Sequence, residues 1–406
     1  MNGSRVLVFA LLLCLAPLAA LSLGADVAGQ ERVTSLDDDG GTAEYLSISP
    51  DEIDAEGFER GGLDVAGAVG ADAGKLRSAY AAESLQRELA DAENETERRE
   101  ALRRTADAVD ERSSRLESRD RDAIRAYGSN ERTGAELFRT LGSVDAESEA
   151  LLEVVRELHA AHEESADSPL TERELATYRA RLDPMTGPVR ERITIASTGD
   201  RPVEIYLKTR EDTVTLATVT DDDQYVREAH APSNRDLDGQ DRLGFAGAEE
   251  RFEELYPWVA NNNTGLNTWV VGGQPYLHHA DVYAVTAAHP HGVGSPDDLT
   301  TYIDGTTTDV FHESQKQNPE ALPTRSLVSE DEGLELHLNW TRAGGPMAVA
   351  LVDGETGEEL DATVEVNDRY AGSTGNDRLW TIAPRGTVVV VATHDEGEVE
   401  TQVVVR

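Results

Sequence analysis

Apolar positions along the chain change their spacing twice. Between about Leu76 and Leu182 they recur with a helical period. Leu102, Val109, Leu116 and Ala123 are seven apart, with Ala106, Ser113 and Tyr127 near the second seam position. A second stripe runs through Leu137, Leu141, Val144, Leu151, Val155 and Leu158, and turn residues sit at Asn94 and over 128–134. The pattern predicts three long helices folded antiparallel, then a short one over 171–182. Glu95/Arg99, Glu100/Arg104, Glu111/Arg115 and Glu117/Arg121 place acid four residues before base on the outer face. Ala, Ser and Asp at several seam positions leave the core thin, so the helices are expected to pack against something further.

Asp183–Pro184 and Gly187–Pro188 end the helical pattern. Strand-like runs follow at 193–196, 203–208, 214–219 and 225–229, then an amphipathic helix over 248–258. A strand over 282–287 comes next, and 299–303 faces 309–315 across a turn containing Asp304 and Gly305. From 327 onward only short alternating runs remain, at 334–340, 347–352, 362–366, 379–382, 387–392 and 399–405, which predicts a β-sandwich. The expected fold is multidomain α+β: an N-terminal antiparallel helical hairpin or bundle over 71–183, a central α/β unit over 188–323 with a mostly antiparallel sheet and a helix, and a sandwich of immunoglobulin or fibronectin type over 327–406.

The remaining N-terminal residues read differently. Arg5 precedes an apolar run from Val6 to Leu23, with Gly24 and Ala25 after it and the acidic chain from Asp26. That order over 1–25 predicts a secretory signal peptide, or an anchor if it is retained. Leu13 before Cys14 argues against lipidation. Residues 26–70, with Asp37, Asp38 and Asp39 in a row, read as an acidic flexible leader.

Charge sharpens the picture of where the chain works. Asp and Glu number 78 against 37 Lys and Arg, a net −41, and the lysines are only Lys75, Lys208 and Lys316. Such a surface repels itself at a Debye length of about 8 Å and is relieved in molar salt, where that length falls to about 3 Å. The composition resembles that of secreted proteins of extremely halophilic archaea. Cys14 is the sole cysteine, so the chain after the signal can form no disulfide and no thiolate metal site. Nucleic acid is excluded as a partner by the shortage of clustered cations. Sequons at Asn94, Asn262 and Asn339 suit a glycosylated exterior protein.

Two constellations carry candidate metal chemistry. His289, His291 and His312 with Asp281 supply imidazole and carboxylate, the zinc ligands that remain without thiolate. His278, His279 and Glu313 lie close in sequence, whereas His159 and His162 suit the end of a helix. Asn234, Asp236 and Asp238, with Gly239, reproduce the first half of a calcium loop, but Phe245 stands where its bidentate Glu belongs. No nucleophile elbow, phosphate loop or His-Glu-x-x-His helix is present. Tyr256, Trp258, Trp269 and Tyr276 read as core aromatics or an aromatic groove.

The turn residues Val352-Asp353-Gly354, Thr356-Gly357 and Pro384-Arg385-Gly386 give the sandwich a resemblance to fibronectin-III and carboxypeptidase-regulatory accessory domains. Through Glu254-Leu-Tyr-Pro-Trp258, His289-Pro-His-Gly292, Leu299-Thr-Thr-Tyr-Ile-Asp-Gly305, Thr308-Asp-Val-Phe311, Glu313 and Gln315, the whole layout resembles a family of haloarchaeal exported proteins of unknown function. The resemblance implies no activity. The functional expectation is a non-enzymatic extracellular or envelope protein that binds other envelope proteins or a small ligand, with membrane contact only through its N-terminal segment. The alternative is a metal-dependent hydrolase built on the His-rich central unit.

Overall fold

The computed structural model describes residues 46–165, 167–199, 201–237, 239–257, 266–270, 281–287, 299–322, 324–375, 377–395 and 397–406. The predicted signal segment and residues 26–45 of the predicted leader therefore lie outside the described residues. Among the described residues, no helix is long and apolar enough to cross a membrane.

Four helices form the first layer: α1 (Val65–Asp91), α2 (Glu95–Gly128), α3 (Gly134–Glu163) and α4 (Glu172–Leu182). Their ends follow the local chemistry. Asn94 caps α2 by accepting from the Glu97 N–H, and Thr133 and Thr171 each form a capping box, with Glu136 and Glu174. The expected seam is buried, from Leu102, Ala106 and Val109 to Leu116 and Ala123. Of the four expected i,i+4 pairs on α2, Glu111–Arg115 is seen, at 3.5 Å, whereas Arg99 turns to Asp167 and Arg104 to Glu88. Partners on neighbouring elements win because the helices lie side by side.

The thin seam is completed by a sheet. Eight strands run in the order β1-β2-β3-β4-β8-β7-β6-β5, every neighbouring pair antiparallel. They are β1 (Ala55–Gly61), β2 (Val203–Arg210), β3 (Thr213–Val219), β4 (Tyr225–His230), β5 (Leu266–Val270), β6 (Val282–Ala287), β7 (Leu299–Asp304) and β8 (Val310–Gln317). One face meets the helices through Ile124, Leu137, Leu141, Ile205, Leu207 and Leu216. The opposite face is shared. Helix α6 (Gly244–Leu255) covers one half with Phe252, joined by Tyr256, over Val285, Leu299 and Ile303. The C-terminal unit covers the other half.

Two expectations are corrected here. Residues 193–196 belong not to a strand but to helix α5 (Pro188–Ser197), whose Val189, Arg190, Ile193 and Ala196 are buried at helical spacing. The β-branched run suggested a strand, but tertiary packing overrides so weak a propensity. The leader predicted through Gly70 is also built into the fold from Leu46 onward. Residues 55–61 form the edge strand β1, in register with β2 from Ala55↔Thr209 to Gly61↔Val203, and α1 begins at Val65.

The C-terminal unit is a β-sandwich. One sheet holds β9 (Arg325–Asp331), β10 (Leu334–Trp340), β11 (Pro346–Asp353), β12 (Glu359–Leu360) and β15 (Leu379–Ile382). The other holds β13 (Thr363–Val366), β14 (Arg369–Ser373), β16 (Gly386–His394) and β17 (Gly397–Val405). Leu336, Leu338, Val349, Val364, Val390 and Val399 fill the space between them. The sandwich rests on the large sheet: Ile382 joins Tyr206, Ala217 and Tyr225, the Tyr225 hydroxyl donates to the Gly344 carbonyl at 2.9 Å, and Arg369 lies over the Phe58 ring at 3.6 Å.

Candidate functional site

The helical layer is tied to the sheet by buried charge. Arg190, on the first turn of α5, is fully buried and forms ion pairs with Asp120 of α2 at 2.5 Å and Glu228 of β4 at 2.7 Å. Glu228 also accepts the Val189 and Arg190 N–H groups, at 3.3 and 3.4 Å, so a carboxylate sits at the helix N-terminus. Gly187 permits this approach, because a Cβ there would stand 2.1 Å from the Glu228 Oε2. Asp120 and Glu228 together more than offset the burial that opposes charge on Arg190, and they raise its pKa.

Beside this anchor lies a pocket of about 100 Å³. Its polar wall consists of Glu117, Asp120 and Arg121 from α2, Arg181 from α4, His230 from β4 and Arg235 from the strap that follows β4. Its apolar wall consists of Pro184, Met185, Pro232, Leu237 and Phe311, with Leu237 half exposed. The strap is held by hydrogen bonds. The Asn234 side-chain amide donates to the Val310 carbonyl at 2.8 Å, and the Thr307 hydroxyl donates to the Asn234 carbonyl at 2.7 Å.

Two arginines are held by part of the guanidinium and leave another part unsatisfied. Arg235 donates through Nη1 to the Ala180 carbonyl at 2.9 Å and lies over the Phe311 ring at 4.9 Å. Its Nε is buried without a hydrogen-bond partner, and Asp304 is 3.8 Å away. Arg181 donates through Nη1 to Asp110 at 2.7 Å, and its Nε is likewise buried without a partner. Burial lowers the Arg235 pKa to about 10, against the pull of Glu117 and Asp304. Burial raises the Glu117 carboxyl, which Arg181, Arg235 and Arg121 pull back. Asp120, also in the wall, is already engaged by Arg190. An unmade bond of a buried donor costs about 1–3 kcal/mol, more when it is charged. Arg121, Arg181 and Arg235 thus line the cavity beside Glu117, the one carboxylate there not held by Arg190, so the wall is cationic on balance and favours a small anion.

His230 has a different role. Its Nδ1 is 2.9 Å from the Pro184 carbonyl, which can only accept, so that nitrogen carries the proton. Burial drives its pKa down to about 3, which keeps the ring neutral.

The residues singled out in the sequence are described only in part. His289 and His291 lie outside the described residues, as do His278, His279, Asp238 and Asn262. Asp281 pairs with Arg173 at 2.7 Å, whereas His312 is buried with its ring edge-on to His230 and Tyr302. Among the described residues, no three His, Cys, Asp or Glu side chains gather where they could hold a metal ion. In the calcium-like loop, Asn234 braces the strap, and Asp241 accepts from the Leu243 N–H and the Tyr283 hydroxyl. Asn94 is an exposed helix cap, and Asn339 lies on β10. Tyr256 is a core residue that stacks on Phe252 at 4.9 Å and donates to Glu313. The side chains of Trp258, Trp269 and Tyr276 lie outside the described set.

Sequence reasoning missed the arginines. Arg235 stands between two residues read as calcium ligands, and Arg181 lies two residues before the Asp183–Pro184 break. Among 37 basic residues, nothing local distinguishes one that the fold will bury.

Three family models match consecutive parts of the chain. Residues 1–202 match a domain of unknown function (DUF7096), residues 205–323 a family of unknown function (DUF7094), and residues 325–401 an archaeal fibronectin-III type-like domain. No curated protein and no solved structure was found to match. The pocket draws Glu117, Arg121 and Arg181 from the first part and His230, Arg235 and Phe311 from the second, and so lies on their seam. The three matches together make the chain similar to an archaeal family of unknown function that ends in a fibronectin-III-like domain.

Proposed function

We propose that the chain is a non-enzymatic binding protein of the cell exterior or envelope, and that the seam pocket is its ligand site, taking a small carboxylate with a short apolar portion. The observation that carries this reading is the cationic lining of one cavity, where Arg121, Arg181 and Arg235 stand beside Glu117 while Asp120 is held by Arg190. The apolar wall supplies the rest of the recognition, as ligand pockets combine a few polar groups with a largely apolar lining. A cavity of about 150 Å³ holds benzene, so about 100 Å³ suits a ligand smaller than that. The exterior placement is supported by the apolar run Val6–Leu23 and by the net charge of −41.

The test is isothermal titration of the full chain with propionate and, as a cationic counterpart, propylammonium, in molar potassium chloride. Propionate is expected to bind at one site per chain, and propylammonium is not. A hydrogen bond to a charged group contributes about 1.5–3 kcal/mol, so Arg181→Gln and Arg235→Gln should each weaken propionate by about tenfold or more. Leu237→Glu, at the half-exposed rim, places a like charge over the site without disturbing the core, and it should weaken propionate as well. Absence of propionate binding, or wild-type affinity in all three variants, would overturn the proposal.

A further inference from the structure

Helix α1 is built inside out. Its buried positions are the small residues Gly67, Ala71, Gly74 and Ser78, together with Leu85. The small residues let α1 and α3 approach closely, for a Cβ on Gly74 would stand 3.3 Å from the Glu147 Cβ. The large apolar side chains are on the outside. Val65, Val69, Leu76 and Tyr80 are 66, 63, 72 and 69 % exposed, and Leu63, just before the helix, is 70 % exposed. Four of these five lie at steps of four, seven and four residues and so share one helical face. The same stretch is almost free of acid. Residues 65–82 contain a single carboxylate, Asp72, beside Lys75 and Arg77, in a chain with 78 acidic residues.

We propose that this face docks a second copy of the chain, with the two α1 helices antiparallel about a two-fold axis. The spacing four, seven, four reads the same from either end, which is the self-complementarity that an isologous contact requires. Centred between Asp72 and Ala73, the contact places Val65 against Tyr80 of the second copy and Val69 against Leu76 of the second copy. Asp72 then lies opposite Ala73 of the second copy, and Lys75 of that copy is about 3 Å further along the axis at 1.5 Å per residue. Two reciprocal Asp72–Lys75 pairs fix the direction. A membrane surface explains neither the symmetry nor the acid in mid-face, because interfacial helices carry Lys and Arg along their polar side and anionic lipid repels a chain of net −41.

Sedimentation velocity of the full chain in molar potassium chloride tests the contact. Wild type is expected to sediment as a dimer and Leu76→Asp as a monomer with unchanged circular dichroism, since Leu76 touches no core. Cysteine pairing tests the direction, in a Cys14→Ser background. Chains carrying Val69→Cys and chains carrying Leu76→Cys should form a mixed disulfide on oxidation. Val65→Cys should not pair with itself, because the two Val65 positions are about 22 Å apart along the axis and a disulfide spans less than about 7 Å between Cα atoms. A monomeric wild type, a dimer that survives Leu76→Asp, or self-pairing of Val65→Cys would overturn the proposal. So would a monomer whose flotation with phosphatidylglycerol vesicles is lost in Leu76→Asp, which would assign the face to lipid.

Discussion

Asp145 has the buried charge most open to a simple test. It accepts from the Thr194 hydroxyl at 2.9 Å and from the Gly187 N–H at 3.4 Å, beside Glu228 and Arg190. Burial raises its pKa from 3.8 to about 7, with Thr194 and Arg190 pulling it down and Glu228 pushing it up. The folded chain therefore holds a proton between those values that the unfolded chain has released, so this group's contribution to stability falls as pH rises through the window. Asp145→Asn should remove that fall and stabilise the fold at pH 7.5 by up to about 4 kcal/mol, at about 1.4 kcal/mol per pKa unit. Guanidinium unfolding of both proteins at pH 4.5 and 7.5 measures it; an unchanged difference between the two pH values would refute it. None of this was legible in the sequence. Asp145 is one acid among 78, and its neighbours Thr194 and Glu228 are supplied by other elements. The same holds for Arg181 and Arg235, which the fold brings to one cavity from distant parts of the chain.

At the scale of elements, helix starts and turns were the most legible, because capping is local chemistry. Thr171 and Glu174 form both bonds of a capping box, just where the periodicity begins again. Thr171→Ala should cost about 1 kcal/mol, seen as a lower unfolding midpoint in guanidinium, whereas Thr171→Ser should cost little. Equal losses from both substitutions would show that the hydroxyl is not the stabilising group. The strands of the sandwich were legible for a related reason: β10 alternates buried and half-buried residues from Leu334 to Trp340, and alternation is the period of a strand with one face in a core. Two elements were misread because their neighbours define them. Helix α5 exists where the Glu228 carboxylate receives its N–H groups, and β1 exists because β2 presents an edge to it. In α1 no such pattern marks the core face, since its large apolar residues lie outside and its small ones inside.

At the scale of the whole molecule, the helices, the eight-stranded sheet and the sandwich share their cores, so surface charge acts on one body. With net −41, its stability should depend on screening. The melting temperature followed by circular dichroism should fall steadily as potassium chloride is lowered below about molar, and a constant melting temperature would contradict the salt-screened reading. The order of the parts was legible from the changes of hydrophobic period. Their joining into one sheet was not, because β1 precedes the helices and its partner β2 follows them. That joining creates the pocket, which neither of the two parts contains alone. The most direct measurement uses protein labelled with ¹⁵N arginine. On addition of propionate, the Nε–H resonances of Arg181 and Arg235, assigned through their Gln variants, should move together and saturate. If those two resonances stay fixed, the seam pocket does not bind the anion, and the proposed function fails with it.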